Sequence, residues 1–169
     1  MAETLEKMET MPVGVVLERR RGSTPWQDWA WRPVAVIPGA PEVEGAWRLL
    51  REGDDWAHFH AATLPLELHR SDTDGYRLNL SQEPPRLWIV LRSDEGGEPG
   101  TVLPFFVTAS AHECEAYQVS GQEIVESVPM PPEVMALVRD FVEQHHVDVP
   151  FEKRERKRHT PGRPGHRPA

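Results

Sequence analysis

Histidines and a lone thiol are the first residues in this chain whose types could do chemistry. His58 and His60 flank Phe59. On a β-strand alternate side chains share a face, so the two imidazoles would stand together, with Trp56 beside them. His112-Glu113-Cys114 and His145-His146 supply further nitrogen and sulfur donors. A zinc or copper site needs three or four such ligands to converge. The spacings that announce convergence, H-x-x-x-H, C-x-x-C and paired Cys/His motifs, are absent. The expectation is therefore that His58 and His60 line a solvated or half-buried sheet face. A small metal-handling protein or enzyme built on His58, His60, His112 and Cys114 is the alternative.

Cys114 would act as a nucleophile only with a base at hand and a depressed pKa. His112 shares a face with it on a strand but not on a helix, and a buried free thiol is the expected state. No serine sits in a G-x-S-x-G elbow. Gly96-Gly97-Glu98-Pro99-Gly100 lacks the Lys-Ser/Thr of a phosphate loop and reads as a hairpin tip. No catalytic or cofactor-binding residue and no cofactor follow from these patterns, and the balance is against an enzyme.

Two features point to partners instead. Trp26, Trp29 and Trp31 place three indoles within six residues. Such rings are core material more often than not, but exposed they would anchor an interface. On a strand, Trp29 and Trp31 share a face. At the other end, Lys153, Arg154, Arg156, Lys157 and Arg158 form a basic run. A solvated tail is its ordinary reading; as a handle it suits an acidic protein groove better than nucleic acid. Charge is split accordingly: residues 152–169 carry a net +5 and the preceding 151 residues a net −13. An acidic body repels polyanions, so nucleic acid is not the expected partner, and a nucleic-acid-binding regulator acting through the tail ranks last among the readings.

The elements that must position these residues follow from composition and periodicity. At 38% hydrophobic, 169 residues hold one domain with a true core. Seventeen prolines and 12 glycines, scattered, imply many short elements. One cysteine excludes an intramolecular disulfide. The acidic first ten residues have no leader-like apolar run, and no segment approaches the ~20 apolar residues of a membrane span, so the chain is expected to be cytoplasmic.

Val13, Val15 and Leu17 alternate in a strand over Pro12–Arg20. A short strand over Pro33–Pro38, two around the turn at Glu52–Asp55 and another through Leu64, Leu66 and Leu68 follow, with Pro65 at an edge or bulge. Thr73–Leu80 reads as one helical turn or a loop. Arg86–Arg92 is apolar on both faces and should be a central strand, with a hairpin into Val102–Thr108. Ser110 and Glu113 suggest a capping box for a short helix to Tyr117, and Glu123–Val128 a last strand. Val134, Leu137, Val138, Phe141 and Val142 at i, i+3, i+4, i+7 and i+8 behind Pro131-Pro132 predict an amphipathic helix over 131–144. The expected whole is α+β: a mainly antiparallel sheet, as a small barrel or sandwich, spanning 11–151 and covered by that helix, with a flexible extension over 1–10 and a disordered basic tail over 152–169.

Several phrases occur together: Met11-Pro12-Val13-Gly14-Val15-Val16-Leu17-Glu18-Arg19-Arg20, Trp29-Ala30-Trp31-Arg32-Pro33-Val34-Ala35-Val36-Ile37-Pro38-Gly39, Tyr76-Arg77-Leu78-Asn79-Leu80, Pro84-Pro85-Arg86-Leu87-Trp88-Ile89-Val90-Leu91-Arg92, Val128-Pro129-Met130-Pro131-Pro132 and Val149-Pro150-Phe151-Glu152-Lys153-Arg154. In these the chain, over roughly residues 11–155, resembles a proteobacterial family of unknown function encoded beside formate dehydrogenases and other molybdopterin oxidoreductases. The resemblance carries over no catalytic residue. It implies a non-enzymatic accessory, maturation or adaptor protein whose partner is a molybdenum-dependent formate dehydrogenase or its maturation machinery.

Overall fold

Val13, Val15 and Leu17 do set the phase of a strand, and that strand is the spine of the fold. In the computed structural model, which describes residues 8–22, 29–43, 47–97 and 100–147, β1 runs over Glu9–Arg21. It begins inside the stretch expected to be a flexible extension, with Glu9 paired to Leu68. β2 (Trp29–Pro38), β3 (Arg48–Glu52) and β4 (Trp56–Leu68) complete an antiparallel sheet in the order β2-β1-β4-β3. β5 (Arg86–Ser93), β6 (Val102–Thr108) and β7 (Ile124–Pro129) form a second, ordered β6-β5-β7. Arg86–Arg92 is thus central, as its two apolar faces require.

The structure departs from expectation where bulges reset the side-chain period. Val15 pairs with Ala62 and Val16 with His60, so Ala61 is an extra residue in β4. The inward set changes from Phe59 and Ala61 to Leu64, Leu66 and Leu68, so one 13-residue strand reads as two. β2 begins at Trp29 rather than Pro33. Val34 is its extra residue, opposite the Val16–Leu17 step, and the bulge on this edge strand accommodates Pro33. Phe105 plays the same part beside Pro104 in β6.

The sheets face each other, with β4 against β6 and β2 against β7. Neither seam carries strand pairing among the described residues, so the barrel is not closed. Val13, Val15, Leu17, Leu66, Leu87, Ile89 and Leu91 fill the interior.

The first and last helices pack on the same core as the sheets. α1 covers Thr73–Leu80, two turns where a turn or loop was expected. Gly75 argues against a helix by about 1 kcal/mol. Burial of Tyr76 and Asn79 overrides it, and a Cβ at position 75 would come within 2.5 Å of Ser110 Oγ. α2 is Glu115–Ser120, entered through a 3₁₀ turn at Ala111–Cys114. The expected capping box does not form: Glu113 accepts a hydrogen bond from Thr108 Oγ1 at 3.0 Å instead of returning to the Ser110 backbone. α3, Pro132–His145, lies alongside α1 and sends Val134, Val138 and Phe141 into the common core, with Leu137 and Val142 at its margin. Among the described residues no helix is long and apolar enough to cross a membrane.

Candidate functional site

The inward row of β1 continues beyond Leu17 as Arg19 and Arg21, opposite Trp31 and Trp29 of β2. Two charges at inward positions would be costly in a sealed core. Here the sheet end is only half-buried, and aromatic rings replace aliphatic packing. Trp31 meets Trp47 edge-on with centroids 5.1 Å apart, and both rings approach Phe59, at 5.8 and 6.2 Å. The Arg19 guanidinium lies between Trp29, 4.3 Å from the ring centre, and Phe59, 5.3 Å away. These are cation–π distances. Arg19 Nε is buried without a hydrogen-bond partner among the described residues. Leu49, paired with Phe59 and 47% exposed, extends the surface towards solvent. Trp29 and Trp31 therefore share a face, as alternation requires, and form one mixed aromatic–cationic surface with Trp47, Phe59 and Arg19. Trp26 lies outside the described residues, as do Lys153, Arg154, Arg156, Lys157 and Arg158.

The outward face of the same strands is organised around Glu18. The register aligns Arg32 of β2, Glu18 of β1, His58 of β4 and Arg51 of β3 in one row across the sheet. Glu18 is only 4% exposed. Its Oε1 accepts from Arg20 Nε at 3.0 Å and Arg32 Nε at 3.2 Å, and its Oε2 lies 2.9 Å from His58 Nε2. The Arg20 hydrogen bond leads in holding this carboxyl down at about 2, against burial and with help from His58 and the Arg32 charge. Trp56 packs on His58 at 4.7 Å. His60 is buried, bonds Thr63 Oγ1 at 2.9 Å and is pushed down by desolvation. Gly14 makes room for it, since a Cβ there would lie 2.6 Å from His60 Nε2.

A carboxyl held this low stabilises the fold at any pH above its unfolded value. For Glu18 that stability is present above about 4.5 and is lost as pH falls towards about 2. Because Arg20 and Arg32 are more than half exposed, the contribution at neutral pH is about 1–2 kcal/mol, below what the full shift implies. Denaturant melts of Glu18→Gln are expected to show that deficit above pH ~5 and convergence with wild type towards pH ~2. A deficit independent of pH would show that the charge contributes nothing.

The remaining candidates lie elsewhere. His112 is exposed, 3.4 Å from Glu115. Cys114 is buried, and burial with the nearby Glu113 pushes its thiol up to about 11, far from a reactive thiolate. Glu113 is itself raised, first by burial and then by the neighbouring Asp72. His145 stacks on Phe141 at 4.6 Å, and His146 bonds Thr73 Oγ1 at 3.1 Å and Arg77 Nη1 at 2.7 Å. Among the described residues no three His, Cys, Asp or Glu side chains gather as a metal site. The set His58, His60, His112 and Cys114 is thus divided between β4 and the turn before α2 and is not brought together.

Arg19, Trp47 and Phe59 on one face, and Glu18, Arg20 and Arg32 on the other, are the residues that sequence reasoning passed over. The phase of β1 was the available signal, because Val13, Val15 and Leu17 put Arg19 inward and Glu18 outward.

Comparison with known proteins gives one finding. A family model described as a protein of unknown function, DUF3305, matches residues 12–156. No curated protein and no solved structure matches.

Proposed function

The chain belongs to the DUF3305 family of proteins of unknown function, and from that premise we propose that it is a non-enzymatic accessory or adaptor protein that docks a protein partner on the aromatic end of its first sheet. The observation that carries this reading is the Trp31–Trp47–Phe59 cluster with Arg19 stacked between Trp29 and Phe59. Large rings and arginine, held in place before the partner arrives, are the side chains that dominate interface energies. Their low ordering cost favours association. The resemblance described above directs the proposal to a molybdenum-dependent formate dehydrogenase, or to the machinery that matures it, met by this chain in the cytoplasm.

A binding titration with the purified enzyme tests this. Leu49→Asp, at an exposed position, and Trp47→Ala are each expected to weaken binding by about tenfold or more, the size of a loss at an interface anchor. Leu49→Asp should leave the melting temperature near wild type, because position 49 buries little. Unchanged affinity in both variants would overturn the assignment of this surface.

A further inference from the structure

The outward face of the same sheet end is cationic on an acidic molecule. Arg20, Arg32, Arg48 and Arg51 share this face with the Glu18 carboxylate, and the Asp55 charge also acts on Arg20, while residues 1–151 carry a net −13. Glu18 grips Arg20 and Arg32 through Nε alone. The terminal Nη groups of both guanidiniums meet no partner among the described residues, and their side chains are 55% and 61% exposed. Two forks are thus oriented from beneath with their donor ends left over, the arrangement that receives a carboxylate in bidentate fashion. A hollow of about 390 Å³, lined by Glu18, Arg20, Ala30, Trp31 and Arg32, opens beside them at the edge strand β2. Arg48 and Arg51 form no ion pair among the described residues, three strands away in the same sheet.

We infer that this face binds an acidic polypeptide segment of a partner, one carboxylate on the Arg20–Arg32 forks and a second on Arg48 and Arg51. Strands are ~4.8 Å apart, so a point between Arg20 of β1 and Arg32 of β2 lies ~12 Å across the sheet from β3, and an extended segment covers ~13 Å in four residues. The face therefore selects acidic residues at i and i+4 of an extended chain. Nucleic acid suits it less well: a continuous phosphate backbone would pass over Glu18, and the rest of the body repels a polyanion. The aromatic surface does not use these charges, although the hollow shares Trp31 with it, so the arginine variants and Trp47→Ala tell the two surfaces apart.

The test is fluorescence anisotropy on the full chain at low salt, with labelled extended peptides carrying Glu at i and i+4, Glu at i and i+1, or Gln at both positions. A single-stranded DNA of the same charge is the competitor. The i, i+4 peptide is expected to bind tightest, and Arg20→Gln combined with Arg32→Gln to weaken it by about tenfold or more. Arg51→Gln, at an exposed strand position, should weaken the i, i+4 peptide while leaving the i, i+1 peptide unaffected. Trp47→Ala should keep the peptide affinity, which separates this surface from the aromatic one. Equal binding of the Glu and Gln peptides, preference for the DNA, or indifference to all the arginine variants would overturn the inference.

Discussion

Phe141→Ala is expected to lower the stability of this protein by about 3–5 kcal/mol, the usual cost of deleting a fully buried aromatic ring. Phe141 is 0% exposed. It packs edge-on against Tyr76 of α1 with centroids 6.0 Å apart, and carries His145 on its other side at 4.6 Å. The ring joins α3 to α1 and is part of the common core. Truncation would remove its transfer energy and leave a cavity that two short helices and two sheets cannot easily collapse. Chemical denaturation measures the effect directly. A loss below ~1 kcal/mol, the range of surface changes, would mean that α3 is peripheral.

The second large effect belongs to a polar residue. Asn79 is 2% exposed. Its Nδ2 donates to the carbonyls of Arg86, at 2.7 Å, and Ala109, at 2.9 Å, while its Oδ1 accepts from Arg86 N at 2.8 Å. One side chain therefore joins α1 to the start of β5 and to the segment leaving β6. Asn79→Ala leaves all three backbone groups without their partner, and a buried group left unsatisfied costs about 1–3 kcal/mol. With partial relaxation the expected loss is about 2–4 kcal/mol. Asn79→Asp should recover little of it, because its carboxylate keeps the acceptor for Arg86 N but faces two carbonyl oxygens. Recovery of wild-type stability in Asn79→Asp would show that the two donated bonds are unimportant.

Asn79 also explains why some of the fold was legible and some was not. Tyr76-Arg77-Leu78-Asn79-Leu80 and Pro84-Pro85-Arg86 stand out as phrases, and the structure joins them through the Asn79–Arg86 hydrogen bonds. The residues alone did not reveal a helix there, since Gly75 lowers the propensity that tertiary burial restores. Local periodicity sufficed where nothing interrupted it: β1 at period two, β5 apolar on both faces, α3 at 3.6. It failed at Ala61 and Val34, because an extra residue inverts which side chains face inward and the alternation no longer reads as one strand. The capping box failed for another reason, as Thr108, on a neighbouring strand end, competes for Glu113.

The site was legible in the same uneven way. Trp29 and Trp31 announce themselves by density. Trp47 and Phe59 are isolated in sequence and join them only through the pairing of β1 with β4 and of β4 with β3. Glu18 meets Arg32 and His58 across strands, at sequence separations of 14 and 40, which no local pattern encodes. His58 and His60 share one sheet face, as strand alternation requires, but His60 is buried where a solvated or half-buried face was expected, and their partners are Glu18 and Thr63 rather than each other.

Docking of a protein partner on the aromatic end of the first sheet leaves a local footprint in the backbone. Amide hydrogen exchange of the chain, alone and with a saturating amount of the proposed partner, a molybdenum-dependent formate dehydrogenase, tests it most directly. Slower exchange confined to the sheet end around Trp29–Trp31, Trp47–Leu50 and Ala57–Phe59, with α1 and α3 unchanged, is the predicted result. Protection confined to α1 and α3, with the aromatic end exchanging as in the free chain, would contradict it.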